Sequence, residues 1–345
     1  MEAKMPNLQA RTMNNLPRNF MKPMMRFGGL KSIRNVARLM DSRQEKNLPD
    51  DINATAVNKA DYEGESVRIK GQRSRRVILY LPGGGFIICT AVMHKPFVAR
   101  ICRTLNAKAL LVHYRLALEV PFPGSLEDCL AAYRDLLAQV YKPENITLAG
   151  DSAGGGPVLS TLLALRDEGA TMPRNAIVLS RLGDLTYSGA SREYNRRADP
   201  VLPTHRASHM HQLYIGDEQP SHLFISPVLA DFNGLPPILG QLGSTEIRLD
   251  DTARAAAQAN KADVPFYLEI WREMLHVLPI FNVLPEAQQA IDRMAQFIKD
   301  NHLDTLPQRC SENTASNPTR SRGKLCAAIS PISLVRLMDL NTKKR

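Results

Sequence analysis

The sequence predicts an α/β fold, with a mostly parallel central sheet and helices on both of its faces. Short, continuously apolar runs such as 77–81 and 109–112 are typical of strands that are buried on both faces. Segments with apolar residues at helical spacing, such as 126–140, alternate with these runs from about residue 66 onward. Strands that alternate with helices form a parallel sheet, because each crossover helix returns the chain to the same end.

This alternation continues to about residue 298. The predicted strands are 67–69, 77–81, 109–112, 146–149, 176–179, 238–242 and 266–271, and the predicted helices are 96–105, 126–140, 158–166 and 287–298. Together they account for one main domain with a large core, which is consistent with the 44% of apolar residues in the chain.

Three parts are predicted along the chain. Residues 1–55 carry apolar residues at helical spacing among basic ones, and we expect the N-terminal part of a helical cap rather than a helix on a membrane surface. Residues 56–303 form the main domain, which a polar segment at about 182–225 interrupts to complete the cap. Residues 304–345 show little periodicity, and a disordered tail is expected there, with a short amphipathic helix at 327–338 as the alternative.

The basic charge of the chain belongs to its two ends. Of the formal net charge of +10, residues 1–50 carry +6 and residues 304–345 carry +5, which leaves −1 for the remainder. A nucleic-acid-binding protein would carry its basic patch on the folded domain, so this distribution counts against that class. No stretch approaches the roughly 18 apolar residues of a membrane helix. The five scattered cysteines fit reduced thiols, and a soluble cytoplasmic protein without stable membrane insertion is expected.

A Gly-x-Ser-x-Gly motif lies at Gly150, Ser152 and Gly154, between a predicted strand and a predicted helix. Strand, tight turn and helix are the context of a nucleophile elbow, in which the serine has a strained backbone at the tip of the turn. Bulky side chains two residues before or after the serine would clash, so glycine occupies both places. We therefore predict that Ser152 is a nucleophile rather than an idle serine in a glycine-rich turn.

A serine becomes a good nucleophile only when a base takes its proton. His276 follows the last predicted strand near the close of the domain, where such a base is expected. His113 also lies at a strand end, but it precedes the serine, and a packing role is expected for it. His276 is therefore the predicted base.

The base needs a carboxylate that holds its tautomer and stabilises the imidazolium. Three carboxylates follow the predicted strand 238–242, namely Glu246, Asp250 and Asp251. Asp250 is expected to cap the next helix and Asp251 to lie in its first turn, so both have a structural role already. Glu246 is the predicted acid, with Asp250 in reserve. The resulting order of serine, acid and histidine is that of the α/β-hydrolases.

The oxyanion of the reaction needs N–H donors where negative charge develops. Ala153, directly after the serine, supplies one, and the glycine-rich loop 82–86 supplies Gly84 and Gly85 as candidates for the others. A phosphate-binding loop is the alternative for this segment, but no Gly-Lys-Ser or Gly-Lys-Thr follows it.

No metal site is predicted. Three histidines lie in the cap segment, at His205, His209 and His211, without a carboxylate or a fourth ligand at a recognised spacing. A solvated face of the cap is therefore the expected environment of these histidines.

Several short motifs surround the predicted site in a fixed order. They are Gly83-Gly84-Gly85-Phe86, Tyr114-Arg115-Leu116-Ala117, Pro121-Phe122-Pro123, Leu126-Glu127-Asp128, Gly150-Asp151-Ser152-Ala153-Gly154-Gly155, Ala198-Asp199-Pro200, Ser226-Pro227, Gly234-Leu235-Pro236-Pro237, Leu249-Asp250-Asp251 and His276-Val277. With them the sequence resembles the hormone-sensitive lipase family of α/β-hydrolases, in its branch of bacterial short-chain esterases, over about 77–298. The resemblance implies an α/β-hydrolase fold with a helical cap, and it aligns the acid of the family with Glu246.

The sequence departs from the family pattern at four places. Pro82 replaces the histidine that usually precedes the three glycines and braces the oxyanion loop, so the geometry of that loop is in question. Leu118 and Arg181 stand where proline is usual, and Met274-Leu275 replaces a proline-containing run before the histidine. These changes concern pocket shape and stability rather than the reaction.

The resemblance implies a serine carboxylesterase that hydrolyses short- to medium-chain acyl esters through an acyl-enzyme, without a cofactor. Its expected partner is a small-molecule ester, and a homodimer is left open. A lactone or amide hydrolase with the same residues is one alternative. Another is a binding protein on a hydrolase scaffold, as in the plant gibberellin receptors of this family, although these have lost the catalytic histidine. A membrane-attached lipase is the third.

Overall fold

The computed structural model describes residues 17–45, 48–88, 91–139, 141–301 and 334–338. In these residues nine strands form one sheet in the order β1-β2-β4-β3-β5-β6-β7-β8-β9. The strands are β1 (Ile52–Asn58), β2 (Glu63–Ile69), β3 (Val77–Leu81), β4 (Lys108–Val112), β5 (Ile146–Asp151), β6 (Asn175–Leu179), β7 (Ile238–Gly243), β8 (Phe266–Trp271) and β9 (Leu334–Met338).

The sheet is mostly parallel, as predicted. Only the pairs β1–β2 and β2–β4 are antiparallel, and every pair from β4 through β3 to β9 is parallel. Strands β3, β5, β6 and β7 are buried along their whole length, which explains why their sequences are mostly apolar. Their carboxyl ends lie at one edge of the sheet, where ligands bind in open α/β folds.

Helices cover both faces of the sheet. In chain order they are α1 (Lys22–Phe27), α2 (Leu30–Glu45), α3 (Ala91–Leu105), α4 (Gly124–Ala138), α5 (Ser152–Asp167), α6 (Ser191–Tyr194), α7 (Thr204–Ile215), α8 (Leu249–Lys261) and α9 (Pro285–Asp300). Helices α4, α5 and α8 bury apolar side chains in one core layer, and α3 and α9 do so in another. None of the helices in the described ranges has the length and apolar character needed to cross a bilayer.

The N-terminal helices contact the segment between β6 and β7 and the loop after β3. Lys22 Nζ donates hydrogen bonds to the carbonyl oxygens of Arg196 and Asp199. Arg34 Nε donates to the Ile87 carbonyl oxygen at 2.7 Å, while its guanidinium also pairs with Glu119. These contacts hold α1 and α2 over the carboxyl edge of the sheet.

The structure differs from the predicted boundaries at both ends. Strand β1 begins at Ile52, so the expected boundary between residues 55 and 56 falls inside a strand. Within the expected disordered tail, Leu334–Met338 forms β9, which pairs with Tyr267–Trp271 of β8. An extended Leu-Val-Arg-Leu-Met segment satisfies the backbone groups of the exposed edge of β8, which favours a strand over the alternative helix. The rest of 304–345 lies outside the described residues.

Candidate active site

Ser152 lies where β5 ends and α5 begins, at the tip of a tight turn. Its φ is +48°, a left-handed conformation that is unusual for serine. A Cβ added at Gly154 would lie 2.0 Å from the Leu81 carbonyl oxygen, and one at Gly150 would lie 2.8 Å from the same atom. Glycine is therefore required on both sides of the turn, as the motif predicted. Helix α5 begins at Ser152 itself, six residues before the predicted start.

The structure brings Ser152, His276 and Glu246 together from three different loops. His276 Nε2 lies 2.9 Å from Ser152 Oγ, and His276 Nδ1 lies 2.7 Å from Glu246 Oε2. Glu246 is fully buried, while His276 is 8% exposed. A carboxylate bound to Nδ1 keeps the proton on that nitrogen, which leaves Nε2 free to accept the proton of the serine.

Two further contacts fix the carboxylate of Glu246. Its Oε1 accepts hydrogen bonds from Ser180 Oγ at 2.8 Å and from the Gly243 N–H at 2.5 Å. Ser180 Oγ in turn accepts the N–H of Val277 at 2.8 Å, which ties the histidine loop to the same cluster. The glutamate therefore has a single position, with Oε2 directed at the histidine.

The pKa of His276 is raised above its usual value near 6.5. Burial lowers this pKa, but the charge and hydrogen bond of Glu246 and the charge of Asp199 raise it by more, while Arg248 opposes them. The net effect stabilises the imidazolium, which is the form that a base reaches after it has accepted the serine proton.

Asp250, the reserve acid, lies elsewhere. Its carboxylate accepts hydrogen bonds from the Ser191 N–H at 2.9 Å and from Tyr194 Oη at 3.0 Å. Helix α8 begins at Leu249 after the cap residue Arg248, so the expectation that Asp250 caps this helix is wrong. Asp250 lies inside the first turn and holds the start of α6 instead.

The loop after β3 lies beside the serine. A Cβ added at Gly83 would be 3.1 Å from Ser152 Cβ, and one at Gly84 would be 2.0 Å from the Ile88 carbonyl oxygen. Gly84 and Gly85 have φ values of +135° and +63°, which glycine adopts at little cost. Within the described residues, the N–H groups of Gly84, Gly85 and Ala153 donate to no acceptor. These are the three N–H groups that the sequence singles out as candidate oxyanion donors.

The other histidines singled out in the sequence do not join this site. His113 Nε2 lies 3.7 Å from Glu65 Oε1, beside β2. His211 is buried against Tyr187, whose hydroxyl is hydrogen-bonded to His211 Nδ1, and burial lowers its pKa well below the usual value. The expectation that His211 lies on a solvated face of the cap is therefore wrong. The side chains of His205 and His209 lie outside the described residues.

In the part of the chain that the structure describes, no group of three or more His, Cys, Asp or Glu side chains is arranged to hold a metal ion.

Two residues without a predicted role position the loop that carries Glu246. Asp199 is fully buried and accepts the N–H of Ile247 at 3.0 Å. Asn195 Nδ2 donates to the carbonyl oxygens of Ser244 and Glu246, at 3.1 and 2.9 Å. The sequence pointed to this part of the chain only through the Ala198-Asp199-Pro200 motif. The motif alone did not indicate that Asp199 and Asn195 hold the loop of Glu246.

The chain is similar to several known proteins. A family model described as an alpha/beta hydrolase fold matches residues 78–280. An acetyl-hydrolase of Streptomyces hygroscopicus is 40% identical over 226 residues, which are 65% of this chain and 75% of that protein. An esterase of Acinetobacter venetianus is 31% identical over 250 residues, covering 72% of this chain and 82% of the relative.

Solved structures show the same similarity. The crystal structure of an esterase/lipase from an uncultured bacterium superposes with a TM-score of 0.79 at 36% identity, covering 86% of this chain and 99% of that one. A structure described as an esterase from the bacterial hormone-sensitive lipase family also gives a TM-score of 0.79, at 34% identity and with the same coverage of both chains.

Proposed function

Because the chain belongs to the α/β-hydrolase family, among the relatives of bacterial hormone-sensitive-lipase-type esterases, we propose that it is a serine carboxylesterase. Ser152 is the nucleophile, His276 the general base and Glu246 the acid that holds the histidine. The observation that carries the proposal is the pair of contacts at His276, with 2.9 Å to Ser152 Oγ and 2.7 Å to Glu246 Oε2. The three residues come from three loops that are far apart in the sequence.

The reaction follows from the positions of these atoms. His276 Nε2 takes the proton of Ser152 Oγ while the oxygen attacks the ester carbonyl carbon, and the carbonyl oxygen becomes an oxyanion. The N–H groups of Gly84, Gly85 and Ala153 stabilise that oxyanion. The imidazolium then gives its proton to the departing alcohol oxygen, and an acyl-enzyme remains on Ser152.

The second half repeats these steps with water. His276 takes a proton from a water molecule, whose oxygen attacks the acyl carbon and forms a second oxyanion at the same donors. Collapse of this intermediate breaks the bond to Ser152 Oγ, which regains a proton from the imidazolium. The carboxylic acid leaves and the enzyme returns to its starting state.

We further propose short- to medium-chain acyl esters as substrates. Phe86, in the loop beside Ser152, stacks on Tyr214 of the cap helix α7 with ring centroids 3.7 Å apart. This contact joins the cap to the loop beside the nucleophile, and we expect it to limit the space for a long acyl chain. The name of the Streptomyces relative, an acetyl-hydrolase, also supports a small acyl group.

A series of p-nitrophenyl esters from acetate to palmitate tests this proposal, with Ser152→Ala alongside. We expect kcat/KM to be highest between two and eight acyl carbons and to fall steeply beyond. The Ser152→Ala variant should lose roughly 10⁶-fold in kcat, since nucleophile and base act as a unit. A wild-type protein that turns over none of these esters, or an active Ser152→Ala variant, would contradict the proposal. Parallel assays with a lactone and an anilide separate the alternative substrate classes.

A further inference from the structure

Asp151, directly before the serine, has an unusual environment. It is the N-cap residue of α5, yet its side chain caps no N–H group of that helix. An aspartate at this position ordinarily accepts a hydrogen bond from the second or third N–H of its own helix. Here its Oδ1 instead accepts the N–H of Gly83 at 3.0 Å, in the loop after β3.

Two buried side chains hold Asp151 in this orientation. Tyr80 Oη donates to Asp151 Oδ1 at 2.8 Å, and His94 Nε2 lies 2.9 Å from the same oxygen. Tyr80 is fully buried, and Asp151 and His94 are only 3% and 4% exposed. A buried carboxylate is costly unless it is paired and hydrogen-bonded. These partners therefore stabilise the rotamer that faces Gly83 over the rotamer that would cap α5.

This orientation has two consequences for the oxyanion donors. The hydrogen bond to Gly83 fixes the entry of the loop that presents the Gly84 and Gly85 N–H groups. The N–H groups at the start of α5, including that of Ala153, stay clear of a capping carboxylate whose negative charge would compete with the oxyanion. A second anchor, from Tyr114 Oη to the Pro82 carbonyl oxygen at 2.6 Å, holds the same loop one residue earlier.

We infer that His94 and Tyr80 are positioning residues for the reaction, which act through Asp151 to place the oxyanion donors. They brace the loop through Asp151, whereas Pro82 has no polar side chain that could do so. The charge of His94 and the hydrogen bonds from His94, Tyr80 and Gly83 also outweigh burial and lower the pKa of Asp151, which keeps the carboxylate ionised. The inference rests on the proposed esterase function.

The test compares His94→Leu, His94→Gln and Tyr80→Phe with the matched variant Tyr62→Phe. Tyr62 is a buried tyrosine whose hydroxyl likewise donates to a carboxylate, Asp135 Oδ2 at 2.6 Å, but this carboxylate lies in α4 rather than beside the serine. A misplaced donor weakens binding of the transition state and not of the ester, so kcat should fall while KM stays within about 3-fold. We expect losses in kcat of roughly 10²-fold for His94→Leu and roughly 10-fold for Tyr80→Phe.

Two further readouts separate positioning from general loss of structure. His94→Gln keeps a donor and should recover much of the activity that His94→Leu loses. A trifluoromethyl ketone, which forms a hemiketal oxyanion on the serine, should lose affinity in proportion to kcat/KM across the series. Equal losses in Tyr62→Phe and Tyr80→Phe, unchanged kcat in His94→Leu, or an effect confined to KM would overturn the inference. An inactive wild-type enzyme would instead refute the proposed function itself.

Discussion

Replacement of Glu246 by glutamine tests the catalytic cluster at its most constrained point. The Gly243 N–H is fixed by the backbone and needs an acceptor, so the amide oxygen of the glutamine must occupy the place of Oε1. The amide NH₂ then faces His276 Nδ1, where Glu246 Oε2 now lies at 2.7 Å. Two donors cannot face each other, so the proton of the neutral imidazole moves to Nε2. In that tautomer His276 cannot accept the proton of Ser152.

The size of the effect follows from this tautomer switch and from the lost charge. Amidation of the acid in a serine protease triad lowers kcat by about 10⁴-fold, which corresponds to about 5 kcal/mol of transition-state stabilisation. We expect a comparable loss for Glu246→Gln, because the glutamate is fully buried and solvent cannot replace its charge. The assay is kcat with a saturating neutral p-nitrophenyl ester, together with a thermal melting curve for each variant.

Asp250→Asn is the matched control, since it removes a carboxylate charge from the first turn of α8, which directly follows the loop of Glu246. Asp250 contacts Ser191 and Tyr194 rather than the histidine, so its kcat should stay within about 2-fold of the wild type. An active Glu246→Gln beside an inactive, well-folded Asp250→Asn would refute the assignment of the acid.

Two further predictions concern pH and the C-terminal segment. The acid limb of kcat/KM should lie above pH 6.5, because the pKa of His276 is raised and only the neutral imidazole acts as base. The charge of Arg248 lowers the pKa of His276, so Arg248→Met should move the acid limb to higher pH. The measurement is the profile of kcat/KM from pH 5 to 9, and a move of the limb to lower pH would contradict the prediction. Deletion of 304–345 removes β9 from the edge of the sheet, so Tm should fall by roughly 2–8 °C while kcat stays within about 2-fold. An unchanged Tm would show that β9 contributes nothing to stability.

The central strands, and the contacts that bring Ser152, Glu246 and His276 together, could be predicted from the sequence because each part carries a local signal. Strands buried on both faces contain continuously apolar runs, as in Val77–Leu81 and at 176–179, and a nucleophile elbow needs glycine at fixed positions. The choice of Glu246 over Asp250 came from its position in the loop after a strand, where no structural role was expected for it, and the family resemblance agreed with that choice.

Features without a clear apolar pattern, or that depend on distant contacts, were missed. Strand β1 alternates only weakly and is mostly exposed, and it pairs along its whole length with β2, whose first half is polar. Strand β9 pairs with residues more than sixty positions earlier in the chain. The contact between Asp151 and His94 joins residues 57 positions apart, and an aspartate at a helix start suggests a cap when only the sequence is known.

The most direct test of the central claim, that Ser152 attacks the ester, is to trap the acyl-enzyme. Rapid acid quenching of the wild-type enzyme during turnover of p-nitrophenyl butyrate, followed by peptide mass spectrometry, should show a butyryl group on the peptide that contains Ser152. Glu246→Gln should form the same adduct more slowly, and Ser152→Ala should form none. A butyryl group on another residue, or turnover by Ser152→Ala at the wild-type rate, would contradict the account.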